Sequence, residues 1–158
     1  SVMGVVEGKT KTHRKVVFGT HTGNDNGGPG IANHCPARTV RTAAHRYIVN
    51  LEPDRTFTTH ISGCRKGSPH HLAFWDSWVR KAKPDANARK IVQAYQNRVA
   101  EELYDISTDP HEMHNLANSP EHAKLVASMR KLLAEWCKQQ NDTVAWERLT
   151  EKHAATDK

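Results

Sequence analysis

Apolar residues in the second half of the chain recur at helical spacing. The longest such pattern runs from Pro120 to about Gln139 and predicts a helix with one buried face. Ser119 precedes it as the expected N-cap, and proline suits the first helical position. The expected buried face consists of Val126, Met129, Leu132 or Leu133, and Trp136, whereas the lysines and Arg130 are expected on the opposite face.

Two shorter helices are predicted upstream. Leu72, Trp75 and Val79 share one helical face in a stretch that ends near Ala82. A second helix is expected to begin after Asp85, because a carboxylate is well suited to accept from the first backbone amides. Its apolar stripe consists of Ala88, Ile91, Val92 and Tyr95.

The first half of the chain shows strand-like patterns. Val16–Thr20 is apolar but too short for a helix, and a loop of glycine and asparagine residues follows it. Three other segments are predicted to pair into a small antiparallel sheet, and in the second of them Arg46 and Asn50 are expected to face away from the core. These segments are Thr39–Thr42, Arg46–Leu51 and Glu102–Ile106.

Composition narrows the class of protein. The 158 residues carry a formal net charge of +6, and 37% are hydrophobic, which is below the usual share of about 45–50%. No window approaches the roughly 20 apolar residues that a spanning helix needs, so no membrane partner is expected. The patterns and the composition together predict an α+β fold with a C-terminal helix packed on the small sheet.

No segment shows the spacing of a metal site. His111-Glu112-Met113-His114 is one residue short of H-E-x-x-H, the spacing that places two imidazoles on one helical face. The three cysteines, Cys35, Cys64 and Cys137, lie far apart and form no paired zinc motif. We therefore expect no metal ligands in this chain.

One cysteine is a candidate nucleophile, and several basic residues are candidate ligands for an anion. A thiol near a cation is a potential nucleophile, and Cys35 precedes Arg38 closely, but no base has an obvious place beside it. The basic cluster near the chain start and the later residues Arg38, Arg41, His45 and Arg46 can bind a phosphate or sulfate, and a guanidinium does so through two parallel hydrogen bonds. A solvated basic face is the alternative interpretation.

Three stretches resemble the sulfatase family, in the family's order. Val16–Thr22 is similar to a late strand of the large domain, and Arg38–Asn50 to the family's R-x-V-R-T strand pair. Glu102–Ala117 is similar to the motif E-L-Y-D-L-x-x-D-P-x-E-x-x-N-L-A. By this resemblance, the chain is identified as the C-terminal portion of a sulfatase, nearest in form to the glycosaminoglycan sulfatases and the sulfamidase-like branch.

The resemblance also implies a division of the chain. Residues 1–37 would form the C-terminal edge of an alkaline-phosphatase-like α/β catalytic domain, to which the strand Val16–Thr20 and the following loop belong. Residues 38–143 would form the α+β C-terminal subdomain, and residues 144–158 a polar tail helix.

The family resemblance implies hydrolysis of sulfate esters or sulfamates in a periplasmic, secreted or lysosomal compartment. A full-length parent is expected to use Ca²⁺ and formylglycine, whereas no cofactor is expected in this chain. Cys35-Pro36-Ala37-Arg38 is one residue shorter than the family's C-x-[PA]-x-R, so Cys35 is not the expected nucleophile. The family's calcium ligands belong to sequence that precedes these residues.

The resemblance implies substrate contacts instead. His21 is expected to contact the sulfate or to donate a proton to the leaving oxygen, and Thr22 and Asn24 to bind sugar hydroxyls. Arg38 or Arg41 would hold an anionic group, although for Arg41 a salt bridge within the sheet is the alternative. The expected partners are a sulfated sugar and the remainder of the sulfatase polypeptide.

Two other functions fit the basic charge. A non-catalytic module could hold sulfated polysaccharide without turnover. Nucleic-acid binding is the weaker alternative, because only the net charge supports it.

Overall fold

The computed structural model describes residues 2–22, 35–58, 62 and 73–154. Within these residues the fold is α+β, as the sequence predicts, and it contains four strands and five α-helices, of which α1 was not predicted. The elements in chain order are α1 (Met3–Val6), β1 (Val17–His21), β2 (Ala37–Arg41), β3 (His45–Asn50), α2 (Ala73–Ala82), α3 (Ala86–Gln96), β4 (Glu101–Asp105), a 3₁₀ turn (Pro120–His122), α4 (Ala123–Gln139) and α5 (Thr143–Ala154).

The four strands form one antiparallel sheet in the order β1-β2-β3-β4. A tight turn joins β2 to β3, where the Thr42 amide donates to the His45 carbonyl at 2.8 Å. β3 pairs antiparallel with β4, and Tyr47 lies opposite Leu103. The sheet therefore contains the three predicted strands. β1, which the sequence assigns to the edge of a larger domain, is its fourth, edge strand in this chain.

Strand β3 is buried on both faces. Its last four residues, from Tyr47 to Asn50, are all buried. The prediction that Asn50 faces away from the core is wrong, because its side-chain amide is satisfied inside: Nδ2 donates to the Val99 carbonyl at 2.7 Å. A buried amide is tolerated when it is hydrogen-bonded in this way.

Helix α4 buries the face that its apolar spacing predicts. Val126, Met129 and Leu133 are buried on it. The start of the helix differs from the prediction, because the Ser119 hydroxyl donates to the Glu121 carboxylate at 3.2 Å and makes no capping bond to the backbone. A 3₁₀ turn satisfies the first backbone groups instead.

The chain divides into two compact units. The first contains the described residues within 1–19, 38–49 and 101–158, and the second those within 20–37 and 50–100. In the first unit α5 packs against α4. Large, fully buried side chains of the first unit are Val40, Tyr47, Val49, Leu103, Leu133, Cys137 and Leu149.

The second unit contains the helix pair α2–α3. Trp75 and Val92 are buried in its small core. The Asp85 carboxylate accepts from the backbone amides of Asn87 and Ala88, at 2.9 and 3.0 Å, which confirms the predicted N-cap. Ile91 departs from its predicted buried stripe, since it is 60% exposed. Leu72, also predicted in a buried stripe, lies outside the described residues.

Among the residues that the structure describes, no helix combines the length and the apolar character needed to cross a membrane.

Candidate functional site

The end of β1 presents two of the predicted site residues. His21 is the last residue of the strand and Thr22 follows it, and both side chains are exposed. Both belong to the second unit. Asn24, the third predicted contact on this segment, lies outside the described residues.

Strand β2 carries the two predicted arginines in different environments. The Arg38 side chain is only 9% exposed, and its Nε donates to Oδ2 of Asp142 at 2.5 Å. Asp142 in turn stands at the start of α5, where its Oδ1 accepts from the Ala145 amide at 3.3 Å. Arg38 therefore ties the sheet to α5, whereas Arg41, at the end of β2, is exposed.

A second ion pair joins the sheet to α4. The Arg130 guanidinium donates to both carboxylate oxygens of Glu101, at 3.1 and 2.5 Å, and the two side chains are 15% and 12% exposed. The prediction that Arg130 lies on the solvent face of the helix is therefore wrong. Tyr47 is fully buried nearby, and burial together with the charge of Glu101 raises the pKa of its phenol well above the usual value.

The motif Glu102–Ala117, which begins in β4, makes structural contacts. The Tyr104 hydroxyl donates to the buried Glu102 carboxylate at 2.7 Å. The Asn115 side-chain oxygen accepts from the Leu103 and Ala117 amides, both at 2.9 Å. These bonds fold the motif back along β4, so the recognisable residues serve the fold.

The turn within the same motif is also tightly bonded. Hydrogen bonds from the Ser107 hydroxyl and amide lower the pKa of Asp105 to about 2. The amide of His114 donates to the Asp109 carboxylate at 2.8 Å, which lowers the pKa of that carboxyl too. Glu112 adopts φ 55° and accepts from Arg46 at 2.8 and 3.0 Å.

The cysteines and acidic groups form no metal centre in the described part of the chain. There, no three His, Cys, Asp or Glu side chains come together as a set that could hold a metal ion. These residues therefore do not fit a calcium site. The Cys35 thiol donates weakly to the Thr56 carbonyl at 3.9 Å. Burial, reinforced by the Asp142 carboxylate, raises the pKa of the Cys137 thiol to about 11.

A groove lies between α4 and α5, and the sequence patterns did not predict it. It has a volume of about 640 Å³ and is lined in part by Lys131, Lys138 and Trp146. The available signal was the spacing of Lys124, Lys131 and Lys138, which are seven residues apart and so share a helical face.

Comparisons with known proteins agree with the resemblance carried by the motifs. The family model described as N-sulphoglucosamine sulphohydrolase, C-terminal, matches residues 80–139. An ulvan-active sulfatase of Formosa agariphila is 27% identical over 149 residues, which cover 92% of this chain and 25% of that protein. N-sulphoglucosamine sulphohydrolase of Homo sapiens is 47% identical over 47 residues, which cover 30% of this chain and 9% of that protein.

A solved structure of a 2-O GAG sulfatase aligns with 90% of this chain and 20% of its own, at 20% identity and a TM-score of 0.48. The sequence matches define the class: the chain is related to the sulfatases. More particularly, it corresponds to the C-terminal portion of a sulfatase, which confirms the prediction from its motifs. The chain spans about a quarter or less of the length of the curated relatives it matches.

Proposed function

We propose that this chain is part of an enzyme that hydrolyses sulfate esters or sulfamates of glycosaminoglycan-like sugars. The observation that carries the proposal is the match of residues 80–139 to the C-terminal part of N-sulphoglucosamine sulphohydrolase. The basic net charge of +6 supports an anionic substrate. The proposed compartment is periplasmic, secreted or lysosomal, as for the family that the motifs resemble.

In this proposal the chain supplies substrate contacts, while the nucleophile and the metal belong to the remainder of the sulfatase polypeptide. Formylglycine supplies the nucleophile in the sulfatases that the chain resembles. The described residues contain no donor set that fits Ca²⁺. Cys35, whose thiol contacts a backbone carbonyl, has no role in the proposed chemistry.

The proposed contacts are His21, Thr22, Asn24 and one arginine of β2, and of these His21, Thr22 and Arg41 are exposed in the described residues. His21 donates a proton to the leaving oxygen or binds the sulfate, and its exposed position at the end of β1 supports such a role. Thr22 and Asn24 bind sugar hydroxyls. Of the two arginines, Arg41 is the proposed anion ligand, because Arg38 is buried against Asp142 and serves the fold.

Sulfate release tests the proposal directly. The polypeptide that contains these 158 residues is incubated with N-sulfated and O-sulfated heparin disaccharides, and free sulfate is measured by ion chromatography. We expect His21→Ala to lower kcat by about 100-fold or more, because the proton donor is lost. His111→Ala, which changes an exposed histidine outside the proposed contacts, serves as the matched control and is expected to keep full activity.

Two results would contradict the proposal. One is the absence of sulfate release from every sulfated disaccharide by the wild-type polypeptide. The other is an unchanged kcat in His21→Ala. The 158-residue chain by itself is expected to release no sulfate above the uncatalysed rate, and turnover by it would refute the proposed division of roles.

A further inference from the structure

The groove between α4 and α5 is built on buried contacts of the first unit. Ala145 and Leu149 are almost fully buried where α5 packs against α4. The Asp142 carboxylate, paired with Arg38, accepts from the Ala145 amide in the first turn of α5. The two helices that bound the groove of about 640 Å³ therefore pack against each other, and the ion pair holds the start of α5 to β2.

Lysines give one side of this groove a regular positive charge. Lys131 and Lys138 line it, and Lys124 precedes them by one more interval of seven residues. Side chains seven residues apart in an α-helix share a face and are separated by about 10 Å along the axis. All three lysines are exposed. Such a row of ammonium groups is complementary to a polymer with repeated negative charges.

Trp146 of α5 restrains one of these ammonium groups. Lys138 Nζ lies 5.7 Å from the centroid of the indole ring, within the range of a cation–π contact. A flexible lysine loses conformational entropy when it binds an anion. Because the contact with Trp146 already orders Lys138 in part, the entropy lost on binding is smaller. The indole is only partly buried, so its remaining surface suits the apolar face of a sugar ring.

The other polar groups of the groove fit a hydroxylated ligand. Ser128 and Thr150 contribute hydroxyls. The Thr150 hydroxyl donates to the Trp146 carbonyl at 2.8 Å, so its oxygen is left to accept from a sugar hydroxyl. Glu135 also lines the groove, and its carboxylate opposes a negative ligand. Removal of that charge is therefore expected to strengthen binding.

We propose that this groove binds a sulfated oligosaccharide, with sulfates at Lys131 and Lys138 and a sugar ring beside Trp146. The choice of a sulfated sugar rests on the proposed function, whereas the row of cations, the indole and the hydroxyls are features of the structure itself. The groove holds the polymer without acting on it, because no proposed catalytic residue lines it.

Calorimetric titration of the 158-residue chain with a heparin hexasaccharide tests the groove. The double variant Lys131→Ala/Lys138→Ala is expected to raise Kd about tenfold, because two charge-assisted contacts are lost. Glu135→Gln is expected to lower Kd about twofold, because a like charge is removed. The matched control, Lys83→Ala/Lys90→Ala, removes the same charge from exposed positions outside the groove and is expected to change Kd less than about twofold.

Several outcomes would overturn the proposal. An equal rise of Kd in the control variant would show that binding follows net charge alone. Equal affinity for a fully desulfated, N-acetylated hexasaccharide would remove sulfate as the recognised group. Tighter binding of a short DNA duplex through the same lysines would assign the groove to nucleic acid. Circular dichroism and urea denaturation establish that each variant is folded.

The groove and the proposed function fail separately. The titrations need no turnover, so a polypeptide that releases no sulfate loses the proposed function while the loss of binding at Lys131 and Lys138 still supports the groove. Conversely, sulfate release together with wild-type affinity in the double variant would overturn the groove alone.

Discussion

Arg130 is paired with a carboxylate that precedes it by 29 positions in the chain. Both nitrogens that donate are directed at one carboxylate, in the forked geometry that only arginine provides. Glu101 comes from β4 and Arg130 from α4, so this pair fixes the helix on the sheet. Because both side chains are largely removed from water, neither tolerates the loss of its partner.

Substitution of Arg130 is therefore expected to be costly. Arg130→Met retains much of the apolar stem but leaves the Glu101 carboxylate without its cation, and the free energy of unfolding is expected to fall by about 3 kcal/mol. Urea denaturation at pH 7 measures the loss. The second substitution in Arg130→Met/Glu101→Gln is expected to restore part of it, because the buried charge is removed. A loss below about 1 kcal/mol in the single variant would show that the pair behaves as an exposed one.

The cap at Asp85 was predictable from local partners, whereas the ion pairs with distant partners were not. Asp85 was predicted as a cap because its acceptor amides lie two and three positions away. Arg130 and Arg38 have no such local signal, since Asp142 lies 104 positions beyond Arg38. A charged side chain is buried only where the fold brings a partner to it, and sequence spacing does not carry that information.

At the scale of elements, β1 depends on two contacts with its neighbours. The Phe18 ring stacks parallel on Trp136 of α4, with centroids 4.9 Å apart. Gly19 approaches β2 so closely that a Cβ at that position would lie 2.9 Å from Thr39 Cγ2. Movement of the Thr39 side chain away from Gly19 would cost the hydrogen bond that its hydroxyl donates to the Tyr47 carbonyl at 2.9 Å. The edge strand is therefore sensitive to a single methyl group.

Gly19→Ala is expected to destabilise the first unit by about 1–3 kcal/mol, the usual range for an added methyl that has no space. Thr39→Ser removes the methyl that the new Cβ would meet and keeps the hydroxyl. The double variant Gly19→Ala/Thr39→Ser is therefore expected to regain most of the stability lost in Gly19→Ala, relative to Thr39→Ser alone. Urea denaturation of the four proteins gives the coupling energy. Additive effects would disprove the steric argument.

The same scale shows why the helices were easier to predict than the sheet. The apolar faces of α2, α3 and α4 repeat within a single segment, so each helix is visible by itself. A strand pairs with a partner that its own residues do not specify, and the pairing of β1 with β2 in this chain was not predicted from either segment. Ile91 and Val79 are exposed members of their predicted apolar faces, because periodicity identifies a face but not what covers it.

At the scale of the whole molecule, three carboxyls respond to acid in the same direction. The backbone amides of Ala88 and Asn87 lower the pKa of Asp85 in the second unit. Hydrogen bonds lower the pKa values of Asp105 and Asp109 in the first unit. A carboxyl whose pKa is lower in the folded state binds fewer protons there than in the unfolded chain. Acid therefore favours unfolding of both units.

The pH window follows from these directions. The stabilisation is fully present above the unfolded pKa of about 3.9 and is lost as pH falls towards the folded value, about 2 for Asp105. We expect the urea midpoint to decline between about pH 4 and pH 2. Asp105→Asn is expected to decline less steeply, since this variant has no proton to gain at that position. An identical slope in the two proteins would contradict the role of Asp105.

The burial of Cys137 would protect its thiol if the protein were exposed to an oxidising environment. Burial and the Asp142 carboxylate raise the pKa of this thiol to about 11, which keeps it protonated at neutral pH, and the side chain is fully enclosed by the core. Disulfide exchange begins with attack by a thiolate. The Cys137 thiol is protonated and enclosed, so it neither forms the thiolate readily nor reaches a disulfide in solution. In a protein that folds before it is exposed to oxidants, Cys137 would therefore stay a free thiol.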